Sequence, residues 1–215
     1  MELTAGSPVV RVPSGRRARN KRDKQLRIFE AASALFTGQG YSSVTTQLVA
    51  DRADVGTGTL FRYASSKAEL LMMVMNEQMR LSTRQGVQAA SVAGSPDEAI
   101  MALLEPQIHL SLAYPENTAV YQREILFGTE QGRYRAEALA RISELEDAIG
   151  DILERFTQRL RIRGGVDLHG AARTAFSTLH MELIRVSLGR TDAETLTATL
   201  CSHIDVLLYG VLEPE

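Results

Sequence analysis

The chain has 215 residues and a formal net charge of −2, which is enough for one domain of ordinary size and a small second one. Hydrophobic residues make up 44% of the sequence and charged residues 23%, so wholesale disorder and collagen-like or fibrous repeats are excluded. A single cysteine excludes an internal disulfide and a cysteine-ligated zinc site. No apolar run approaches the roughly 18 residues of a membrane span, and the first fifteen residues do not resemble a signal peptide. We expect a soluble cytoplasmic protein with no membrane partner.

Positive charge is concentrated at the N-terminal end of the sequence. Residues 1–70 carry eleven Lys and Arg against six Asp and Glu, whereas residues 71–215 carry thirteen against twenty. The two parts are therefore expected to face different partners. A basic arm over residues 1–20, with Arg16, Arg17 and Arg19 followed by Lys21, is typical of segments that bind polyanions. A solvated tail that only aids solubility is the alternative that charge alone leaves open.

Hydrophobic periodicity and capping signals predict helices along the whole chain. An amphipathic stripe begins at Lys21 and is expected to end at Gly38 and Gly40. Capping boxes that begin at Ser66, Ser95 and Thr191 place helices at about 66–92, 96–113 and 192–210. Further helices are expected after Tyr114-Pro115, between Gly128 and Gly164, and from Asp167 to Leu188. Strand-like alternation is absent, so we predict an all-α fold of about nine helices, divided into an N-terminal unit at 21–70 and a larger unit at 71–215.

Two short predicted helices joined by a tight turn lie inside the N-terminal unit. The first is capped by Thr45 and ends at Ala53, the turn is Asp54-Val55-Gly56, and the second covers residues 57–63 with Leu60 facing inward. This arrangement is a helix-turn-helix. The outward face of the second helix is small and polar, so it can approach a DNA major groove closely, where threonine methyls contact thymine and arginine reaches guanine or phosphate.

This stretch resembles the DNA-binding domain of the tetracycline-repressor (TetR) family of bacterial regulators over about residues 22–75. The residues that carry the resemblance are Gly40-Tyr41, Thr45, Val49-Ala50, Ala53, Val55, the run Gly58 to Tyr63, and the run Ser66 to Leu71. The resemblance implies a DNA-binding set of Thr45, Thr46, Gln47, Thr57, Gly58, Thr59, Phe61, Arg62, Tyr63 and Lys67, joined by the basic arm. For Tyr63 and Lys67, an ordinary packing aromatic and a helix-start lysine are the alternative. Asp54 departs from the glycine usual in the family, although aspartate tolerates a left-handed backbone better than most residues.

The larger unit is implied by the resemblance to enclose an effector pocket. The candidate lining residues are His109, Tyr121, Phe127, Phe156, Phe176, His180 and Met181. A place in the hydrophobic core is the alternative for each of them. A pocket of this composition would take a partly hydrophobic small molecule.

The last two predicted helices carry more apolar surface than one buried face requires. The resemblance implies that they pair with the same helices of a second chain in a twofold four-helix bundle. The candidate interface residues are Leu179, Leu183, Leu200, Ile204 and Leu207.

Together these features predict a transcriptional repressor in which a homodimer binds a palindromic double-stranded DNA operator and a small-molecule effector releases it. A ligand-independent DNA-binding or architectural protein is the alternative. The sequence has no P-loop, dinucleotide-binding fingerprint, nucleophile elbow or zincin motif, so no enzyme activity, metal or cofactor is predicted.

Overall fold

The computed structural model describes residues 15–128, 132–157, 161 and 163–212. Within these ranges the chain forms nine α-helices and no β-strand element, which confirms the all-α prediction. The helices are α1 (Arg16–Ser43), α2 (Thr46–Arg52), α3 (Thr57–Leu60), α4 (Lys67–Ala90), α5 (Pro96–Ala113), α6 (Pro115–Phe127), α7 (Arg133–Thr157), α8 (Leu168–Ser187) and α9 (Leu196–Val211). None of these described helices is both long and apolar enough to cross a membrane.

The first helix begins earlier than the sequence predicts and is interrupted at the second of the two glycines predicted to end it. It begins at Arg16, so the last part of the expected basic arm is helical; residues 1–14 lie outside the described residues. At the other end, Gly38 does not end the helix, because one exposed glycine costs only about 1 kcal/mol in helix propensity. The backbone breaks at Gly40, with φ 74° and ψ 168°, a conformation that glycine adopts readily.

Two of the three predicted capping boxes form. The Ser66 hydroxyl accepts a hydrogen bond from the Glu69 amide at 3.1 Å, and the Ser95 hydroxyl accepts one from the Glu98 amide at 3.4 Å. The prediction at Thr191 is wrong, since α9 begins only at Leu196. The Thr191 hydroxyl instead donates to the buried Glu182 carboxylate at 3.2 Å, so a tertiary contact takes the place of the cap.

Two hydrophobic clusters hold the helices together. The first joins α1, α2, α3 and the start of α4 to α6 and the beginning of α7. The second joins α5 to the later part of α7 and to α8 and α9. The predicted boundary at residue 70 lies inside the first cluster, because Leu70, Leu71 and Met75 pack in the same core as Leu60. The helix α4 is therefore shared by the small N-terminal unit and the larger helical unit.

Candidate functional sites

The helix-turn-helix forms where the sequence places it. The Thr45 hydroxyl accepts a hydrogen bond from the Leu48 amide at 3.1 Å and so caps α2. Ala50 and Leu60 are fully buried, which lets α2 and α3 approach each other closely. Regular helix in α3 spans only Thr57–Leu60, and turns continue the chain to Tyr63, so the helix is shorter than the predicted 57–63.

Asp54 holds the turn between α2 and α3. Its φ of 50° lies in the left-handed region, the conformation expected for a residue at a position where glycine is usual. The Arg27 guanidinium on α1 donates to the Asp54 carboxylate at 3.0 Å and to its carbonyl oxygen at 3.3 Å. These contacts tie the turn to the first helix.

The outward face of the helix-turn-helix is accessible. Gly58, Arg62 and Thr45 are exposed, and the Phe61 ring is 46% exposed. Thr46, Thr57 and Thr59 are half-buried, and exposed Gln47 donates from its amide to Asp51 at 2.7 Å. A surface groove brings Lys21 of α1 beside Phe61, Arg62 and Tyr63. Arg19 and Lys21 are exposed, while Arg16 and Arg17 lie in the first turn of α1.

Tyr63 and Lys67 already have partners within the chain. The Tyr63 hydroxyl donates to the Lys21 carbonyl oxygen at 3.2 Å, and this bond joins α1 to the end of the helix-turn-helix. The Lys67 ammonium donates to the Ser42 carbonyl oxygen at 3.3 Å and lies 4.2 Å from the centre of the Tyr41 ring. Both side chains therefore have a structural role, and a contact with DNA phosphate stays a prediction for each.

The beginning of α6 contacts the end of α1. The Glu116 carboxylate accepts a hydrogen bond from the Ser42 amide at 2.8 Å, and hydrogen bonding from Ser42 lowers the pKa of this carboxyl. The buried Asn117 side chain donates to the Phe36 carbonyl oxygen at 2.9 Å. A Cβ at residue 40 would meet only the end of the flexible Glu116 side chain, so glycine is favoured there by its positive φ. The larger unit thus positions the helix that supports the helix-turn-helix.

A largely apolar cavity of about 50 Å³ lies between α4, α5, α6, α7 and α8. Tyr121, Phe176 and His180, three of the seven candidate pocket residues, line it. Met75, Met79 and Gln107, which were not predicted, also line the cavity, together with Leu179 and Leu183, which were predicted at a dimer interface. Only their shared position around one cavity identifies these residues, because their spacing is that of ordinary core positions.

Two buried polar atoms beside this cavity have no hydrogen-bond partner, Oε1 of Gln107 and Nε2 of His180. The His180 ring stacks on Phe176 with 5.9 Å between ring centres. Burial lowers the pKa of His180, which favours its neutral form. The cavity therefore offers an apolar surface with two free polar atoms.

The other four candidate pocket residues lie elsewhere. His109 is exposed, Phe127 is 75% exposed at the end of α6, and Met181 is 50% exposed on α8. Phe156 is buried in the second hydrophobic cluster and does not line the cavity. His109, Phe127 and Met181 lie on exposed helix faces, and Phe156 lies on the inward face of α7 about three turns beyond Leu145, so none of the four lines the cavity.

The predicted dimer interface also needs correction. Leu179, Leu183, Leu200 and Ile204 are buried in the core of a single chain, so a partner chain cannot cover them. Leu207 is half-buried against the same core. The exposed apolar side chains of α8 and the loop after it, and of α9, are Met181, Leu188, Val206 and Tyr209. Among the described residues, no group of three or more His, Cys, Asp or Glu side chains is placed to hold a metal ion.

Comparison with known proteins places the helix-turn-helix in a family. Residues 28–73 match the family model described as bacterial regulatory proteins, tetR family. Over 76 residues the chain is 36% identical to the transcriptional repressor KstR of Mycolicibacterium smegmatis, a match that covers 35% of this chain and 37% of the repressor.

Solved structures share the fold over nearly the whole chain. FadR of Thermus thermophilus, a TetR-family repressor solved in complex with lauroyl-CoA, superposes with a TM-score of 0.70 at 22% identity and covers 89% of this chain and 96% of its own. FadR of Bacillus subtilis, solved in complex with stearoyl-CoA, has a TM-score of 0.65 at 19% identity and covers 86% and 98%. The helix-turn-helix region, residues 28–73, therefore matches the tetR family of bacterial regulatory proteins, and most of the chain shares the fold of these solved structures.

Proposed function

We propose that the chain is a transcriptional repressor that binds a palindromic operator as a homodimer and leaves it when a small molecule occupies the cavity of the larger unit. The observation that carries the proposal is the exposed face of Gly58 and Arg62, which lies beside basic Lys21 on a scaffold fixed by α1. A small outward face next to positive charge suits the major groove and its phosphates. The protein would act in the cytoplasm and without catalysis.

A single helix connects the two units, and this supports the release step. The helix α4 packs Leu70 and Leu71 against the helix-turn-helix core, and about one and two turns later its Met75 and Met79 line the cavity. At about 50 Å³ the cavity is far smaller than the roughly 300–1,000 Å³ of a typical ligand site. A ligand must therefore widen it, and it switches DNA binding only if it prefers the widened arrangement.

The chemistry of the cavity indicates the class of effector. Methionine side chains adapt their shape readily, and the remaining lining is mainly aliphatic and aromatic. The FadR structures hold lauroyl-CoA and stearoyl-CoA. Both observations support an effector with a long apolar part.

Selection of duplexes from a random DNA library, followed by fluorescence anisotropy on the selected site, tests the DNA-binding part. If a dimer neutralises on the order of eight phosphates, log K against log salt should fall with a slope of about −7. Arg62→Ala should weaken binding, and Thr59→Ala should relax preference at one or two base positions. Arg84→Ala, on an exposed position of α4, is the matched control. Absence of any selected site, or a slope near zero, would contradict the proposal.

A test of the release step distinguishes a ligand-responsive repressor from a ligand-independent DNA-binding protein. A compound that raises the melting temperature of wild-type protein by binding the cavity should also weaken operator binding. If Phe176→Ala abolishes the response to the compound and leaves operator affinity unchanged in its absence, the cavity is the effector site. A compound that occupies the cavity without any effect on DNA affinity would support the ligand-independent alternative.

A further inference from the structure

A second, open groove lies between α1, α4 and α7, on the outer side of the cavity described above. Its volume is about 440 Å³, within the usual range for small-molecule sites. Four arginines line it, namely Arg22, Arg80, Arg133 and Arg141. Between them lies an apolar surface formed by Leu26, Phe29, Met73 and Tyr134.

The groove carries a net positive charge, and its arginines can bind a phosphate. Its acidic lining residues are Glu77 and Glu137. Arg141 pairs at 2.6 Å with Glu144 on the same helix, so four positive charges stand against three negative ones. Arg80 pairs with Glu77 at 2.8 Å, and Arg133 pairs with Glu137 at 2.8 Å, each within one helix. Partly exposed pairs of this kind contribute about 0–1 kcal/mol. A phosphate can therefore take over these guanidinium groups, for which it is a well-matched bidentate partner.

One layer of hydrogen-bonded side chains separates the groove from the inner cavity. The Tyr121 hydroxyl donates to Oδ1 of Asn76 at 2.7 Å, and Nδ2 of Asn76 donates to the Tyr134 carbonyl oxygen at 2.8 Å. Asn76 and Tyr134 line the groove, whereas Tyr121 lines the cavity. Parting the bond between Asn76 and Tyr121 would join an arginine-rich outer space to an apolar inner one.

We propose that the groove binds the phosphorylated head of an amphipathic effector whose apolar tail passes between Asn76 and Tyr121 into the cavity. The inference rests on the proposed function, since the tail occupies the proposed effector cavity, and it assigns the head to Arg80 and Arg141 in particular. These two arginines stand on α4 and α7 and so hold the head from both sides. The unpartnered Oε1 of Gln107 and Nε2 of His180 are left to meet a polar group of the tail.

Isothermal titration calorimetry on the full chain tests the head site with lauroyl-CoA, coenzyme A and laurate as probes. Lauroyl-CoA should bind more tightly than either part alone. In the double variant Arg80→Gln/Arg141→Gln, the affinity for lauroyl-CoA and for coenzyme A should fall about tenfold or more, and the affinity for laurate should not change. Arg84→Gln removes an exposed arginine one turn further along α4 that does not line the groove, and it should leave all three affinities unchanged.

Tyr121→Phe tests the passage of the tail. This variant removes the hydroxyl that closes the partition, so it should tighten lauroyl-CoA binding about fivefold without changing the affinity for coenzyme A. Equal effects on both probes would refute the passage.

Three further results would overturn the head site: no binding of lauroyl-CoA, equal affinity for laurate and lauroyl-CoA, or no effect of the double variant. If the double variant instead loses only operator affinity, the groove contacts DNA phosphates, and the assignment to an effector is also overturned. The calorimetric assay contains no DNA. A failure of this inference is therefore distinguishable from a failure of the proposed repressor function.

Discussion

The exposed apolar side chains of the last two helices lead to a prediction about assembly. On α9, Val206 is 70% exposed and Tyr209 is 75% exposed, and Leu188, just after α8, is 69% exposed. We expect these side chains to be covered by the same surface of a second chain, and we expect Val206→Glu to dissociate the dimer. This surface differs from the residues that the sequence predicted for the dimer interface, which are largely buried within one chain.

Twofold symmetry doubles the effect of this substitution, because each interface contains two copies of residue 206. Full burial of an aliphatic side chain contributes about 1.5–3 kcal/mol, so covering a 70% exposed valine recovers roughly 1–2 kcal/mol per copy. Two copies give roughly 2–4 kcal/mol, and an unpaired carboxylate at each site adds a further desolvation cost. A total of about 4 kcal/mol weakens the dimer dissociation constant about a thousandfold.

Sedimentation velocity on the full chain at micromolar concentration measures this directly. Wild type should sediment as a dimer without DNA, and Val206→Glu as a monomer with weaker operator binding. Val92→Glu makes the same change at a valine that is 87% exposed just after α4, and it should remain dimeric. A monomeric wild type, or a dimeric Val206→Glu protein, would refute the reasoning.

Three further predictions concern stability. Thr45→Ala removes the cap of α2 and should lower the free energy of unfolding in urea by about 1 kcal/mol; an unchanged midpoint would show that the cap contributes nothing. Asn117→Ala leaves the buried Phe36 carbonyl without its side-chain donor and should lower the same free energy by about 1–3 kcal/mol, measured with Asn20→Ala as an exposed control. Burial holds the pKa of His180 below its ordinary 6.5, so the unfolded chain takes up this proton more readily and stability should fall as pH drops below that value. His180→Phe should flatten this fall at pH values below 6.5, and identical slopes in thermal melts at several pH values would count against the buried imidazole.

Local signals were sufficient for the helix-turn-helix. The Thr45 cap and the inward Leu60 both follow from residues within a few positions along the chain, and both were predicted. The capping boxes show that local sequence signals do not predict every helix start. Ser66 meets the amide three residues ahead, whereas Thr191 meets Glu182, whose burial depends on the packing of the larger unit.

The sequence by itself determined the helical class, the order of the helices and the family of the DNA-binding domain, because helix periodicity, caps and glycine conformations are properties of neighbouring residues. Only the tertiary structure decided which apolar face each helix turns inward. Tyr121 and His180 line a cavity while Phe127 and Met181 lie at the surface, although all four are apolar or aromatic positions on helices. Likewise, the leucines assigned to a dimer fill the core of one chain. The spacing of apolar residues defines an apolar stripe on a helix. The helix that packs against this stripe is distant in sequence, so their contact is decided only when the chain folds.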